Sequence, residues 1–176
     1  MLMDTALSTA TVANTNPNAT KNKLSMVVLS GDMDKVMAAF LIATGAAASG
    51  MEVTMFFTFW GFKAIQKEGV LTGKSLMGRM LGLMNRGGLS VLGPSRLNMG
   101  GLGRWMFKLM MKQKGAASLP ELYDAAVDLG VKMMPCAMTM DVMEIDPTAF
   151  KSNCTEPVGV ATFIQEAAES KITLFI

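Results

Sequence analysis

The chain has 176 residues, which suits one domain, because domains commonly have ~100–200 residues. Apolar residues make up 51% of it and charged residues 17%, a balance that argues against a largely disordered chain. It contains no histidine, which excludes Ser-His-Asp triads, Cys-His pairs and His-ligated metals. The two cysteines, Cys136 and Cys154, are too few for a structural zinc site or a disulfide framework.

The sequence predicts a cytoplasmic protein. Its first residues lack the basic start and apolar core of a signal peptide. The longest nearly uncharged run, Val36 to Met51, is shorter than the ~18–20 apolar residues that cross a bilayer.

Residues 1–22 are rich in Thr, Asn and Ala and are predicted to form a disordered tail before a single domain over residues 23–176. In that domain, short apolar runs alternate with segments of helical periodicity. The predicted strands are residues 24–30, 52–58, 131–136 and 171–176. The predicted helices are residues 35–48, a short helix from Phe62, and residues 118–129, 138–144 and 156–170.

Local signals support several of these boundaries. Asp32 or Asp34 can cap the first helix, and Gly50 suits its left-handed end. Ser118 and Glu121 have the spacing of a capping box. Alternating strands and helices predict an α/β domain with a mostly parallel sheet flanked by helices, although the strand order cannot be deduced.

Cys136 is the candidate catalytic residue. The loops that follow parallel strands meet at one edge of the sheet, where open α/β folds bind ligands. Cys136 lies in such a loop, just ahead of a helical stretch, where peptide dipoles and nearby cations stabilise a thiolate. We expect a reachable, nucleophilic sulfur there; the alternative is a small buried apolar residue.

Cys154 lies in the polar stretch 151–156, with no strand end or helix start to activate it. It is either a resolving thiol for Cys136 or a loop thiol without a role. The spacing of 18 positions does not decide between the two.

Residues 67–115 form an insert that is rich in Met, Gly and basic residues. Residues 63–114 contain ten Lys and Arg and one acidic residue, Glu68, whereas the rest of the chain is acidic. Apolar stripes at helical spacing occur near residues 76–84 and 105–110, with glycines between them. Such an insert can form a lid, cover a partner subunit or lie on a membrane; contact with a subunit or partner is the favoured interpretation.

Two segments resemble nucleotide-binding motifs, but neither matches the full pattern. Gly69–Ser75 has three residues between its glycines where a phosphate-binding loop needs four. Gly101-Leu-Gly103 lacks the third glycine and the preceding strand of a dinucleotide fingerprint. The sequence therefore predicts no cofactor, and the basic stripe has no accompanying nucleic-acid-binding module.

Four ordered motifs resemble the DsrE/DsrF-like family, and specifically its subgroup with a Met/Gly-rich insert, whose members are often labelled peroxiredoxin-family or sulfur-relay proteins. The resemblance covers about residues 23–176. The motifs are Leu29-Ser-Gly-Asp-Met-Asp-Lys35, Met55-Phe-Phe-Thr-Phe-Trp-Gly61, Asn98-Met-Gly-Gly-Leu-Gly103 and Cys136-Ala-Met-Thr-Met-Asp-Val-Met143.

The resemblance implies a compact α/β homo-oligomer. It also implies that Cys136 carries sulfane sulfur or thiosulfate and exchanges it with TusA-like or rhodanese-like partners. Cys154 matches no motif of the family. The Thr-x-x-Cys arrangement of a peroxiredoxin is missing, since Lys132 or Met133 occupies the place of its threonine.

The preferred hypothesis is thus a sulfur carrier or sulfurtransferase that uses Cys136. The loop residues Asp34, Lys35, Trp60 and Thr139 are expected to shape its substrate pocket. One alternative is a non-enzymatic interaction module of a sulfur or redox assembly, and one version of it places the module at the membrane surface. The other is a thiol peroxidase in which Cys154 resolves Cys136.

Overall fold

Strands and helices alternate along the chain, in the order that the hydrophobic pattern predicts. The computed structural model describes residues 21–96 and 98–176. The strands are β1 (Lys21–Val28), β2 (Glu52–Phe57), β3 (Lys132–Pro135) and β4 (Ser170–Phe175). The helices are α1 (Met33–Ala48), α2 (Phe62–Ile65), α3 (Leu76–Met84), α4 (Leu102–Gln113), α5 (Leu119–Asp128), α6 (Ala137–Val142) and α7 (Val160–Ala168).

The four strands form one sheet in the order β3-β2-β1-β4, and every pairing is parallel. This confirms the predicted α/β class. The central strands β1 and β2 are buried along most of their length, including the polar residues Ser25 and Thr54, as expected of parallel strands that are covered on both faces. All carboxyl ends of the strands therefore meet at one edge of the sheet.

Two adjacent phenylalanines on β2 show how the layers pack, because successive side chains on a strand point to opposite faces. Phe57 lies 6.3 Å, between ring centroids, from Phe40 of α1, which also meets Tyr123 of α5 edge-on. Phe56 stacks on Phe163 of α7 at 4.9 Å. Helices α1 and α5 thus cover one face of the sheet and α7 covers the other.

Several local predictions are confirmed. Gly50 has a left-handed backbone conformation with φ of 78°. Ser118 and Glu121 form the predicted capping box at the start of α5. The predicted tail is two residues too long, because Lys21 and Asn22 belong to β1; residues 1–20 lie outside the described residues.

The predicted start of the last helix is wrong. The helix begins at Val160, not near residue 156, because the preceding segment runs beside β3. Thr155 donates its backbone N–H to Met133 O at 2.9 Å, and Val158 donates to Pro135 O at 2.9 Å. Backbone pairing with the sheet edge thus displaces the first helical turn expected from the sequence.

Two carboxylates, Asp34 and Glu144, attach the insert to the body of the domain, and a third, Glu68, joins two parts of the insert. Each accepts hydrogen bonds of 2.6–2.9 Å from backbone N–H or hydroxyl groups. The pairs are Asp34 with Ser95, Glu68 with Ser90, and Glu144 with Lys74 and Ser75.

The pKa of each of these carboxyl groups is lowered. Burial raises the pKa of Asp34 and Glu68, but the hydrogen bonds from Ser95 and Ser90 together outweigh it. Hydrogen bonding to Ser75 is the main cause at Glu144. Because these pKa values are lower in the folded state, the three ionised carboxylates stabilise the fold at pH values above the ordinary carboxyl pKa. This stabilisation is lost as the pH falls through the lowered values.

None of the helices within the described residues is long and apolar enough to span a bilayer.

Replacing Glu144 with alanine is expected to loosen the start of α3. The backbone N–H groups of Lys74 and Ser75 would lose the carboxylate to which they donate. Limited proteolysis within residues 67–115 should therefore become several-fold faster. Asp141→Ala removes an exposed carboxylate near the end of α6; it is the control and should be cut like the wild type. Equal cleavage of both variants would contradict this role of Glu144.

Candidate functional site

The loops that follow β1 and β2 lie in direct backbone contact at the carboxyl edge of the sheet. Gly61 donates its N–H to Leu29 O at 2.9 Å. A Cβ atom at Gly61 would lie 2.1 Å from Val28 O, and one at Gly31 would lie 2.5 Å from Trp60 O. Only glycine permits these approaches, which explains two glycines in the motifs identified from the sequence.

Cys136 follows β3 directly and occupies the N-cap position of α6. Its N–H donates to Phe57 O at 3.0 Å, and the next residue, Ala137, donates to Val158 O at 2.9 Å. The predicted position at a strand end, ahead of a helical stretch, is therefore confirmed.

The expectation that the sulfur is reachable is wrong for the single chain. The Cys136 side chain is 1% exposed and packs within the apolar core. The neighbouring backbone is the segment 154–158, which runs parallel to β3 along its outer edge. A reagent can reach this sulfur only after part of its surroundings moves.

Cys154 is not placed to form a disulfide with Cys136. Both thiols are free. Cys154 lies beside Met133 of β3 on the neighbouring segment of backbone. Because Met133 precedes Cys136 by three residues, the Cα atoms of the two cysteines are roughly 10 Å apart. A disulfide needs Cα atoms within about 7 Å, so the geometry argues against a resolving role for Cys154.

Cys154 belongs to a separate cluster that also contains Lys151, Tyr123 and Asn153. Burial raises the pKa of its thiol to about 11, although the Lys151 ammonium acts in the opposite direction. That ammonium lies 3.7 Å from the centroid of the Tyr123 ring, whose hydroxyl donates to Asn153 at 2.5 Å. At neutral pH the thiol is protonated, and the surroundings of Cys154 are those of a packing residue.

Trp60 and Thr139 lie at the same edge of the sheet but in different surroundings. Trp60 is 47% exposed and lines a cavity of about 380 Å³. Thr139 is fully buried on α6, and its hydroxyl is 2.8 Å from the hydroxyl of Thr58, the first residue after β2. This hydrogen bond ties the Cys136 helix to the loop that carries Trp60.

Lys63 was not identified from the sequence as a site residue. It lines the Trp60 cavity together with Ser30 and Asp32 of the first loop and with Leu81 and Met84 of the insert. Burial lowers the pKa of Lys63, while the Asp32 carboxylate raises it. The available signal was its position in the first helical turn after Trp60.

Asp34 and Lys35 do not line this cavity. Both carboxylate oxygens of Asp34 accept from Ser95, so this residue holds the insert against α1. Lys35 pairs with Asp32 at 2.9 Å. Of the two predicted capping residues, Asp32 occupies the N-cap position of α1. Its side chain makes no capping hydrogen bond, so the predicted capping role is wrong.

Among the described residues, no group of three or more His, Cys, Asp or Glu side chains could hold a metal ion.

Comparison with known proteins places these features in a family context. The family model described as DsrE/DsrF/DrsH-like matches residues 20–175. The chain is 39% identical over 155 residues to the uncharacterized protein YrkE of Bacillus subtilis, covering 88% of this chain and 96% of that protein. It is 34% identical over 160 residues to the sulfur carrier protein DsrE2 of Allochromatium vinosum, covering 89% and 99%.

A solved structure with a similar fold is the ychN protein from E. coli. Its TM-score is 0.50 at 9% sequence identity, covering 88% of this chain and 98% of that one. The likeness supports the α/β architecture.

The surroundings of Cys154 predict its reactivity. In a Cys136→Ser background, alkylation of Cys154 by iodoacetamide should keep rising with pH up to about 11, the pKa that burial imposes. Lys151→Met should slow alkylation several-fold at pH 9, because the ammonium lowers the pKa of Cys154, whereas Lys151→Arg retains the charge. A rate that levels off below pH 9 would contradict this description.

Proposed function

The chain belongs to the DsrE/DsrF/DrsH-like family, and on this premise we propose that it is a sulfur-relay protein whose Cys136 carries sulfane sulfur or thiosulfate to a partner thiol. The observation that carries the proposal is the 34% identity, over 89% of this chain, to a protein named as a sulfur carrier. The position of Cys136 at the carboxyl end of β3 supports the choice of residue.

The transfer consists of two thiol-exchange steps. In the first, the Cys136 thiolate attacks the outer sulfur of a persulfide donor; the new S–S bond forms as the donor's S–S bond breaks and a donor thiolate leaves. With a polythionate donor, the cysteine instead acquires an S-thiosulfonate and thiosulfate leaves. In the second step a partner thiolate attacks the sulfane sulfur that is bonded to Cys136 Sγ. The new S–S bond forms on the partner as the bond to Cys136 breaks, which regenerates the Cys136 thiolate, so no external oxidant or reductant is needed.

Both steps require that Cys136 be uncovered. The segment 154–158 is held to the edge of the sheet by a few backbone hydrogen bonds, two to β3 and one between Ala137 and Val158. Edge segments of this kind open locally at lower free energy than the centre of a sheet. We therefore assign the opening of the site to this segment.

The neighbouring loops are proposed to guide the sulfur donor. Trp60 and Lys63 line one cavity, and the Thr58–Thr139 hydrogen bond links their loop to the helix that follows Cys136. A cation in that cavity attracts anionic sulfur species. Asp34 and Lys35 are proposed to contribute indirectly, Asp34 by holding the insert and Lys35 through Asp32.

We propose a homo-oligomer that works in the cytoplasm with a TusA-like or rhodanese-like partner. Support for self-association comes from β4, the last strand of the sheet, because Phe175 is 70% exposed and Ile172 is also exposed. An edge strand with exposed apolar side chains suits a contact between copies.

A second candidate function is a non-enzymatic interaction module of a sulfur or redox assembly. The burial of Cys136 favours this function, because a buried cysteine can serve only as a small apolar residue of the core. The two functions differ in whether Cys136 ever acquires sulfur.

Intact mass spectrometry after incubation with tetrathionate or polysulfide tests the proposal. The wild type and Cys154→Ser should acquire a single adduct, and Cys136→Ser should acquire none, because Cys154 remains protonated at neutral pH. The adduct should form more slowly than on free cysteine, because the sulfur is buried.

An adduct that persists in Cys136→Ser would remove this residue from the mechanism. Complete lack of an adduct on the wild type and on Cys154→Ser would favour the interaction module. Unchanged thermal unfolding of the serine variants is the control for folding.

A further inference from the structure

A groove of about 640 Å³ lies between α4, the start of α5 and the start of α1. The large apolar residues that line it are Met33, Met37, Leu89, Met111, Leu119 and Pro120. No aromatic side chain of the described residues lines it. Its volume lies within the ~300–1,000 Å³ of small-molecule sites. The groove therefore has the size and the lining of a site for an aliphatic ligand.

The turn between α4 and α5 keeps the groove open. Gly115 has no side chain, and Ala116 and Ala117 each end in a methyl group. All three residues line the groove, so no large side chain of this turn reaches across it.

Hydrogen bonds hold the walls of the groove in place. Met33, the first residue of α1, donates its backbone N–H to Gly93 O at 2.8 Å. Lys108 of α4 donates to Ser90 O at 3.0 Å. Because α1 and α4 are both tied to the loop that follows α3, the two walls keep their positions relative to each other.

The wall that α4 forms carries two cations. Lys108 and Lys112 lie one helical turn apart, and both line the groove. Like charges at this spacing repel each other. Within residues 21–96 and 98–176, neither lysine is paired with a carboxylate. An anion between them would relieve the repulsion, and the Lys108 ammonium has further N–H groups besides the one that Ser90 accepts.

The acidic residue of the groove is engaged in capping α5. The Glu121 carboxylate accepts hydrogen bonds from the backbone N–H and the hydroxyl of Ser118, at 2.6 and 2.9 Å. These hydrogen bonds lower the pKa of Glu121 and compensate part of its charge. Two lysines against one engaged carboxylate leave the groove cationic.

We propose that this groove binds a free fatty acid, with its carboxylate between Lys108 and Lys112 and its hydrocarbon chain along the apolar walls. A few polar groups on one wall of an apolar site fix the orientation of a ligand. The flexible methionines of the other walls can adapt to an alkyl chain. The bound molecule would link α4 to α1 and so steady the insert against the body of the domain. This proposal does not depend on sulfur transfer at Cys136.

Isothermal titration of the full chain with dodecanoate, below the concentration at which it forms micelles, tests the proposal. A single molecule should bind per chain. Decanoate, whose chain is shorter by two methylene groups, should bind about tenfold more weakly. Dodecanol has the same chain without the charge, and it should also bind about tenfold more weakly, because the hydrogen bonds between charged groups are lost.

Two pairs of variants locate the ligand. Lys112→Gln should weaken dodecanoate binding about tenfold, whereas Lys114→Gln, outside the groove, should bind like the wild type. Ala117→Leu should weaken binding at least as much, because the larger side chain fills the groove. Ala161→Leu, the same change at an exposed alanine of α7, should have no effect. Unchanged thermal unfolding of the four variants without ligand is the control for folding.

Four results would overturn the proposal. The first is the lack of saturable dodecanoate binding by the wild type. The second is equal affinity for dodecanoate and dodecanol, which would show that the lysines do not recognise the head group. The third is unchanged binding in both Lys112→Gln and Ala117→Leu, which would place the ligand elsewhere. The fourth is a change in subunit number for Ala117→Leu by light scattering, which would make the groove a contact between copies.

Discussion

The carboxyl edge of the sheet depends on the close approach of two backbone loops at Gly31 and Gly61. A side chain at either position would collide with a carbonyl oxygen, of Trp60 or of Val28. Because the loops touch, the chain leaves β2 next to the end of β1, and the short helix α2 directs the insert over this edge. The Trp60 cavity lies at that contact, since residues of both loops line it.

The sequence predicted the layers of the fold because they depend on local signals. Short apolar runs, the capping box at Ser118 and the glycine at Gly50 each act within a few residues, and the structure agrees with them. Strand order and the start of the last helix depend on contacts between distant segments. Residues 154–158 pair with β3 although a helix is locally compatible with Pro157, because the sheet edge offers backbone partners.

The site was predictable to the same extent. The position of Cys136 follows from the end of an apolar run, whereas its burial depends on the packing of the apolar core, to which distant segments contribute. Helical spacing likewise gave the apolar stripes of the insert but not the side that faces outward. Gly78 and Gly82, spaced one turn apart, were the available signal, since a helix approaches its neighbour most closely where side chains are missing.

A buried thiol and a sulfur carrier are compatible when the cover can open. An exposed persulfide would lose its outer sulfur to any thiolate in solution, because thiol exchange depends on access to the sulfur. Residues 154–158 run beside Cys136 with few backbone hydrogen bonds at the edge of the sheet, where local opening costs least, and we assign the opening to them. Under the proposed function, transfer would therefore be selective, because only a partner that displaces or awaits the opening of this segment could reach the sulfur.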